Sequence, residues 1–147
     1  MSELLYTRDI LRLATSIPHL APLDASDGDA ELRSSTCGSR VAVAVRMEDG
    51  RVTALGQSVE ACAFGQASAA LMGAHAVGRS RVEVEQAVAE LTGWLGGQRN
   101  DPGAWPGLSV LAPALPKTGR HGAILLPFRA LLGAMGEDRE VRGQFPD

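Results

Sequence analysis

The sequence predicts an α+β fold, a small three-stranded antiparallel sheet with an N-terminal helix before it and several C-terminal helices packed on it. Three observations carry this reading. Residues 40–59 alternate in polarity about an Asp49-Gly50 pair. From residue 62 onward the apolar positions recur at helical spacing. Aromatics make up only 4% of the chain, so a core of Ala, Val and Leu must be built from closely approaching helices.

The N-terminal segment 3–17 places Tyr6, Ile10, Leu13, Ala14 and Ile17 at helical spacing, with Ser2 as N-cap and Pro18 as terminator. Residues 19–31 hold Pro22, Gly28 and a run of acids and read as a solvated loop. A short strand is expected over Ala30–Ser35. Val41, Val43 and Val45 then share one face of a strand from Arg40 to Glu48, and Val52 and Leu55 anchor its return from Arg51 to Val59. Asp49-Gly50 is a favoured pair for a two-residue type I′ turn, so the two strands form a hairpin. The Ala-rich stretch Cys62–Val77 reads as a helix. A second helix, Arg81–Leu95, carries a stripe of Val84, Ala87, Val88, Leu91 and Leu95. A Gly/Pro loop over 96–107, a short helix over Leu108–Leu115 and a last helix from about Arg120 to Met135 complete the order. The polar end, Gly136–Asp147, reads as a frayed tail. At 147 residues the whole, 1–147, makes one domain.

Charge and composition exclude several function classes. Net charge is −3, which leaves no excess of cations to replace counterions on nucleic-acid phosphates. The one lysine is Lys117, so any mechanism that needs two lysines is excluded. Lys117-Thr118-Gly119 is accordingly no β-lactamase triplet, and with Pro116 before it no phosphate loop. The sequence contains no Gly-x-Ser-x-Gly elbow, Cys-x-x-Cys or His-Glu-x-x-His. The reading is of a protein that is not an enzyme. No apolar run approaches the length of a membrane span, and the first residues carry acids where a signal peptide carries cations. A cytoplasmic protein with reduced thiols is expected.

The chain has two cysteines, Cys37 and Cys62. With Asp49-Gly50 as the turn, paired residue numbers sum to 99, and 37 and 62 share that sum. Carried to the open end of the hairpin, this register sets the two thiols opposite each other, with Cβ atoms about 4.5–5.5 Å apart. Cys62 also begins a helix, where free N–H groups and the dipole favour an anionic donor of the kind that metal or persulfide chemistry requires. Gly38 permits close approach of a bound group. A shared site competes here with two buried small hydrophobes and with a cross-strand disulfide, the latter disfavoured in a reducing compartment. A thiol-redox enzyme would need that disulfide to be reversible. His19 and His75 read as solvent-facing or core residues. His121, at the start of the last helix, could meet a metal as a neutral imidazole.

Ser34-Ser35-Thr36-Cys37-Gly38-Ser39, a hairpin, and then Ala61-Cys62-Ala63-Phe64-Gly65-Gln66-Ala67-Ser68-Ala69 resemble the NifU/IscU/SufU iron–sulfur cluster scaffold proteins. The resemblance runs over roughly residues 4–135 and implies a SufE/NifU-like fold. It implies that Cys37 and Cys62 are the first two of the family's three cysteine ligands, with Ser39 standing where many members carry aspartate. In the segment Arg120-His121-Gly122-Ala123-Ile124-Leu125-Leu126-Pro127-Phe128 the third cysteine position falls on Ala123. His121 and a carboxylate of the acidic loop are the substitute donors. Alternatively, a homodimer pools four thiolates for one transient [2Fe–2S] cluster, zinc being the other metal considered. The implied role is a scaffold or carrier served by a cysteine desulfurase and discharging to recipient proteins. The alternative is a metal-free adaptor docking on the same partners.

Overall fold

Asp49 (φ 55°) and Gly50 (φ 77°) are both left-handed, as a type I′ turn demands, and the hairpin forms where the sequence predicts it. The computed structural model describes residues 7–34 and 38–136. In chain order its elements are α1 (Arg8–Ala14), β1 (Gly28–Arg33), β2 (Arg40–Glu48), β3 (Arg51–Glu60), α2 (Ala63–His75), α3 (Arg81–Leu95), two 3₁₀ segments (Leu108–Ala114 and Thr118–Arg120) and α4 (His121–Met135). The sheet is antiparallel with strand order β1-β2-β3. This is the expected α+β architecture.

Its boundaries differ from the expected ones for local reasons. In α1 the cap is Thr7, whose Oγ1 accepts from the Ile10 N–H at 3.2 Å; Ser2 and Tyr6 lie outside the described residues. The helix stops at Ala14, where the Thr15 and Ser16 hydroxyls donate to the Arg12 carbonyl at 3.0 and 2.7 Å instead of extending into solvent. Strand β1 starts two residues before the expected Ala30, drawing on what reads as loop. Gly28 makes this possible, since a Cβ there would run into the Ala134 carbonyl of α4. At the other end Ser34 donates to the Ser39 carbonyl (2.8 Å) and accepts from the Gly38 N–H (3.1 Å), which closes the β1–β2 connection.

The hairpin register departs from the expected one. Glu48 faces Arg51 and Met47 faces Val52, but Arg46 faces Ala54, and from there every pair sums to 100 up to Arg40 opposite Glu60. Thr53 is the extra residue of a bulge. Its hydroxyl donates to the Arg46 carbonyl, and the Met47 N–H at the irregularity donates to the Asp27 carboxylate at 2.7 Å. The sum of 99 holds only for the two pairs next to the turn, and Cys37 itself lies outside the described residues.

Val41, Val43 and Val45 turn one face of the sheet inward, and α4 lies across it against β1 and β2. Almost every side of α4 is apolar, as a central helix requires. Helices α2 and α3 flank it, and α1 packs on α2. Small residues let α2 and α4 approach: a Cβ on Gly65 would stand 2.7 Å from the Ala61 Cβ, 3.2 Å from the Ala123 carbonyl oxygen and 3.3 Å from the Ala123 Cβ. One turn on, the buried Ser68 hydroxyl donates to the Ile124 carbonyl at 2.6 Å. The 96–107 loop is anchored by Trp105, which is buried, sets its ring edge-on to Phe128 and donates Nε1–H to the Leu71 carbonyl at 2.9 Å. Helix α3 opens with a full capping box between Ser80 and Glu83.

Gly65→Ala is expected to destabilise the fold by about 1–3 kcal/mol, an overpacking cost that equilibrium urea denaturation measures. Gly119→Ala, where a Cβ meets nothing within 4 Å, is the control and should leave stability nearly unchanged. The Ser80 N–H bond, with the nearby Arg51 and Arg79 charges, holds the Glu83 carboxyl below the usual carboxylate range. Its contribution is present above the unfolded-state value of about 4.3 and is lost as pH falls through the lower folded value. Glu83→Gln should therefore lose less stability than the parent on acidification from about pH 6 to about pH 3, as read by denaturation at each pH.

Candidate functional site

The open end of the hairpin and the starts of α2 and α4 come together at one end of the molecule. Arg40 opposite Glu60 is the last rung of the sheet, and Cys62 follows two residues later as the N-cap of α2 (φ −67°, ψ 173°). Cys62 is half-buried, is a free thiol, and makes no side-chain capping hydrogen bond. Its carbonyl accepts from the Gln66 N–H at 2.8 Å, so the backbone is fixed while the sulfur is not consumed in capping. This agrees with the expected position at a helix start.

Cys37 lies outside the described residues. Its neighbour Gly38 has a φ of 75°, and a Cβ there would meet nothing within 4 Å. Ser39 sits immediately before β2 with its side chain enclosed, only 3% exposed.

Gly65, three residues past Cys62, touches Ala123, two residues past His121. Cys62 and His121 thus stand about 4.5 and 3 Å along their respective helix axes from one shared contact. Ala123, the third cysteine position of the resemblance, is fully buried at that contact. The imidazole of His121 is half-buried, and its Nε2 lies 2.9 Å from the Ala114 carbonyl oxygen and 3.1 Å from that of Leu115.

Two carboxylates of the expected acidic loop are already engaged. Asp27 is occupied by Met47 near the turn, roughly 20 Å of strand from the Cys62 end. Glu31 is at the right end but is engaged by Arg33 and Arg40, and Arg40 also binds Glu60 and the Ser58 hydroxyl. The Arg40 hydrogen bond and charge hold the Glu60 carboxyl below the usual carboxylate range. Sequence reasoning missed this cross-strand cluster, although Glu31, Arg40 and Glu60 are legible as opposed charges once the register is known. His75 closes α2 about 20 Å along the helix from Cys62, and His19 is exposed beside β3. Among the described residues no group of three or more His, Cys, Asp or Glu side chains is placed to hold a metal ion, and no helix is long and apolar enough to cross a membrane.

No protein-family model and no curated protein matches the sequence. Solved structures do match the fold. A nitrogen-fixing NifU-like protein (N-terminal part) from Brucella abortus is 28% identical, with 96% of each chain covered and a TM-score of 0.85. A protein assigned as an iron–sulfur cluster assembly scaffold for the SUF system of the thermophile Fervidobacterium islandicum AW-1 is 17% identical, with 89% of this chain and 96% of that chain covered and a TM-score of 0.81. A hypothetical protein, 20% identical, covers 88% of this chain and 95% of its own at a TM-score of 0.77. The chain has the NifU/IscU/SufU-like fold.

Proposed function

We propose that the chain is an iron–sulfur cluster assembly scaffold or carrier, not an enzyme, that binds iron or sulfur through Cys37 and Cys62 and passes it on. The observation that supports this most is Cys62: a free, half-buried thiol at the N-terminus of α2, uncommitted to capping, in a fold shared with a NifU-like protein. Unpaired N–H groups at a helix start favour an anionic ligand, and a thiolate is the donor that iron–sulfur chemistry uses. Half-burial suits a group that must be reached by a donor and surrendered to a recipient.

Donor supply sets the stoichiometry. One chain contributes two thiolates, with the His121 imidazole as third donor and Ser39 assisting, whereas a [2Fe–2S] centre takes four protein ligands. Two chains together supply four thiolates, so a cluster shared across a homodimer is the arrangement we favour, with zinc as the competing metal. Sulfur would arrive as a persulfide from a cysteine desulfurase in the cytoplasm, and recipient proteins would take the product. Ala123 at the third cysteine position favours the second reading, a metal-free adaptor for the same partners.

Anaerobic reconstitution with ferrous iron and sulfide separates the two. Visible absorption, iron and sulfide per chain, and mass by gel filtration are expected to report one [2Fe–2S] centre per two chains. Cys62→Ser should weaken metal retention at least about tenfold, the range that outer-shell changes alone reach, while the fold is retained by circular dichroism. Ala123→Cys should slow loss of the cluster to a chelator. Wild type that takes up neither iron nor sulfide establishes the adaptor reading.

A further inference from the structure

Each edge strand of a sheet carries backbone groups without a strand partner, and this sheet treats its two edges differently. The β3 edge is covered near both ends. The Gly78 N–H donates to the Val52 carbonyl at 2.8 Å, the Val52 N–H donates to the Arg79 carbonyl at 3.0 Å, and the Gln57 N–H donates to the His19 carbonyl at 2.8 Å. Along β1 the alternation of the ladder fixes which groups face out. The Ser34 N–H donates to the Ser39 carbonyl in the β1–β2 register, so Leu32 and Ala30, two and four residues earlier, are the positions bonded to β2. Glu31 and Arg33 therefore turn their N–H and C=O groups away from β2, and no backbone group among the described residues takes them up. Their side chains stand on the solvent face, 48% and 71% exposed, while Leu32 between them is half-buried against the core.

Charged side chains commonly keep an edge strand from pairing. The order Glu31-Leu32-Arg33 does the reverse for one partner, a copy of itself. Turned antiparallel about Leu32, the strand meets its copy with Glu31 opposite Arg33 twice and Leu32 opposite Leu32 at the centre. Glu31 and Arg33 then form the hydrogen-bonded pairs, which uses the outward backbone groups of both residues. Leu32 falls in the closer, non-hydrogen-bonded pair, where side chains pack best. The exposed Arg33–Glu31 contact within one strand, at 3.4 Å, is worth little and is exchanged for its equivalent across the two-fold axis. We infer that β1 is a self-pairing edge through which two copies of the chain join their three-stranded sheets. This contact is separate from any shared cluster, because Cys62 follows β3, the opposite edge of the sheet.

The test is sedimentation equilibrium of the full chain in the presence of a chelator, over about 1 μM to 1 mM, so that no cluster contributes. A metal-free monomer–dimer equilibrium is expected. Arg33→Glu and Glu31→Arg each set like charges opposite one another, while Arg40 keeps Glu60 in both. Each variant alone should dimerise about tenfold or more weakly than the parent, with the fold retained by circular dichroism. Mixed in equal amounts, the two variants restore the complementary pairs and should dimerise with each other. Leu32→Cys, gently oxidised, should form a disulfide between the two positions 32, identified by mass spectrometry, a readout that needs neither charge variant to fold. A monomer at every concentration overturns the inference and leaves the edge to an extended segment of another protein. A dimer that both charge variants leave intact, a mixture that stays monomeric, or no disulfide at position 32 overturns it as well. None of these outcomes touches the scaffold reading, which is tested with iron and sulfide present.

Discussion

The close approach of α2 and α4 at Gly65 is the constraint on which the rest of the arrangement depends. Helix α4 is the centre of the molecule, covering the Val41–Val43–Val45 face of the sheet while packing on α2 and α3. Its first turn can reach the first turn of α2 only because Ala61, Gly65 and Ala123 present no bulk between the two backbones. The Ser68 hydroxyl then locks the pair by donating to Ile124 inside the core. Pro127 adds to this local character, since it has no N–H to offer the Ala123 carbonyl four residues before it. The contact that organises the core thus also sets the starts of the two helices, Cys62 and His121, beside each other. Packing and candidate chemistry share the same few residues, and a change in side-chain volume at residue 65 or 123 acts on both.

At the sheet end, charge does a complementary job. Arg40 is held between Glu31 on one side strand and Glu60 on the other, with the Ser58 hydroxyl as a further partner. The Arg40 side chain is only 17% exposed, so this is a rung of the sheet more than a surface pair. It pins the ends of all three strands just before the chain leaves for Ser39 and Cys62. Because the two carboxylates are satisfied by arginine, they are poorly available as metal donors.

Much of this was legible in the sequence. The Asp49-Gly50 pair sets the turn because both residues tolerate positive φ, and the valine alternation sets the faces of β2. Ser80 followed by Glu83 at capping-box spacing starts α3 where the apolar stripe begins. The bulge was less visible, yet it had a signal. Val52 and Leu55 both point inward but are three residues apart, an odd spacing that period-2 alternation forbids unless one residue is extra. Extending an ideal register past that irregularity placed positions 37 and 62 opposite each other when the pairing had already slipped by one. Sequence patterns alone also could not reveal that Asp27 would be spent on the Met47 N–H, or that Trp105 in a Gly/Pro loop would be a core residue. Those roles depend on contacts between segments distant in the chain, which local pattern does not encode.

The departure at Ala123 has a physical meaning for the proposed role. On the scaffold reading, the fully buried methyl group of Ala123 sets hydrocarbon against Gly65 where a third thiolate would stand. A metal held by fewer protein ligands keeps more open coordination positions, and it leaves more readily when a better-endowed site competes for it. On the scaffold reading, the missing third thiolate is what tunes the chain toward transient holding and release. The second copy of the chain is then the natural source of the remaining ligands, and cluster lifetime becomes linked to the monomer–dimer equilibrium, falling as dilution separates the two thiolate pairs.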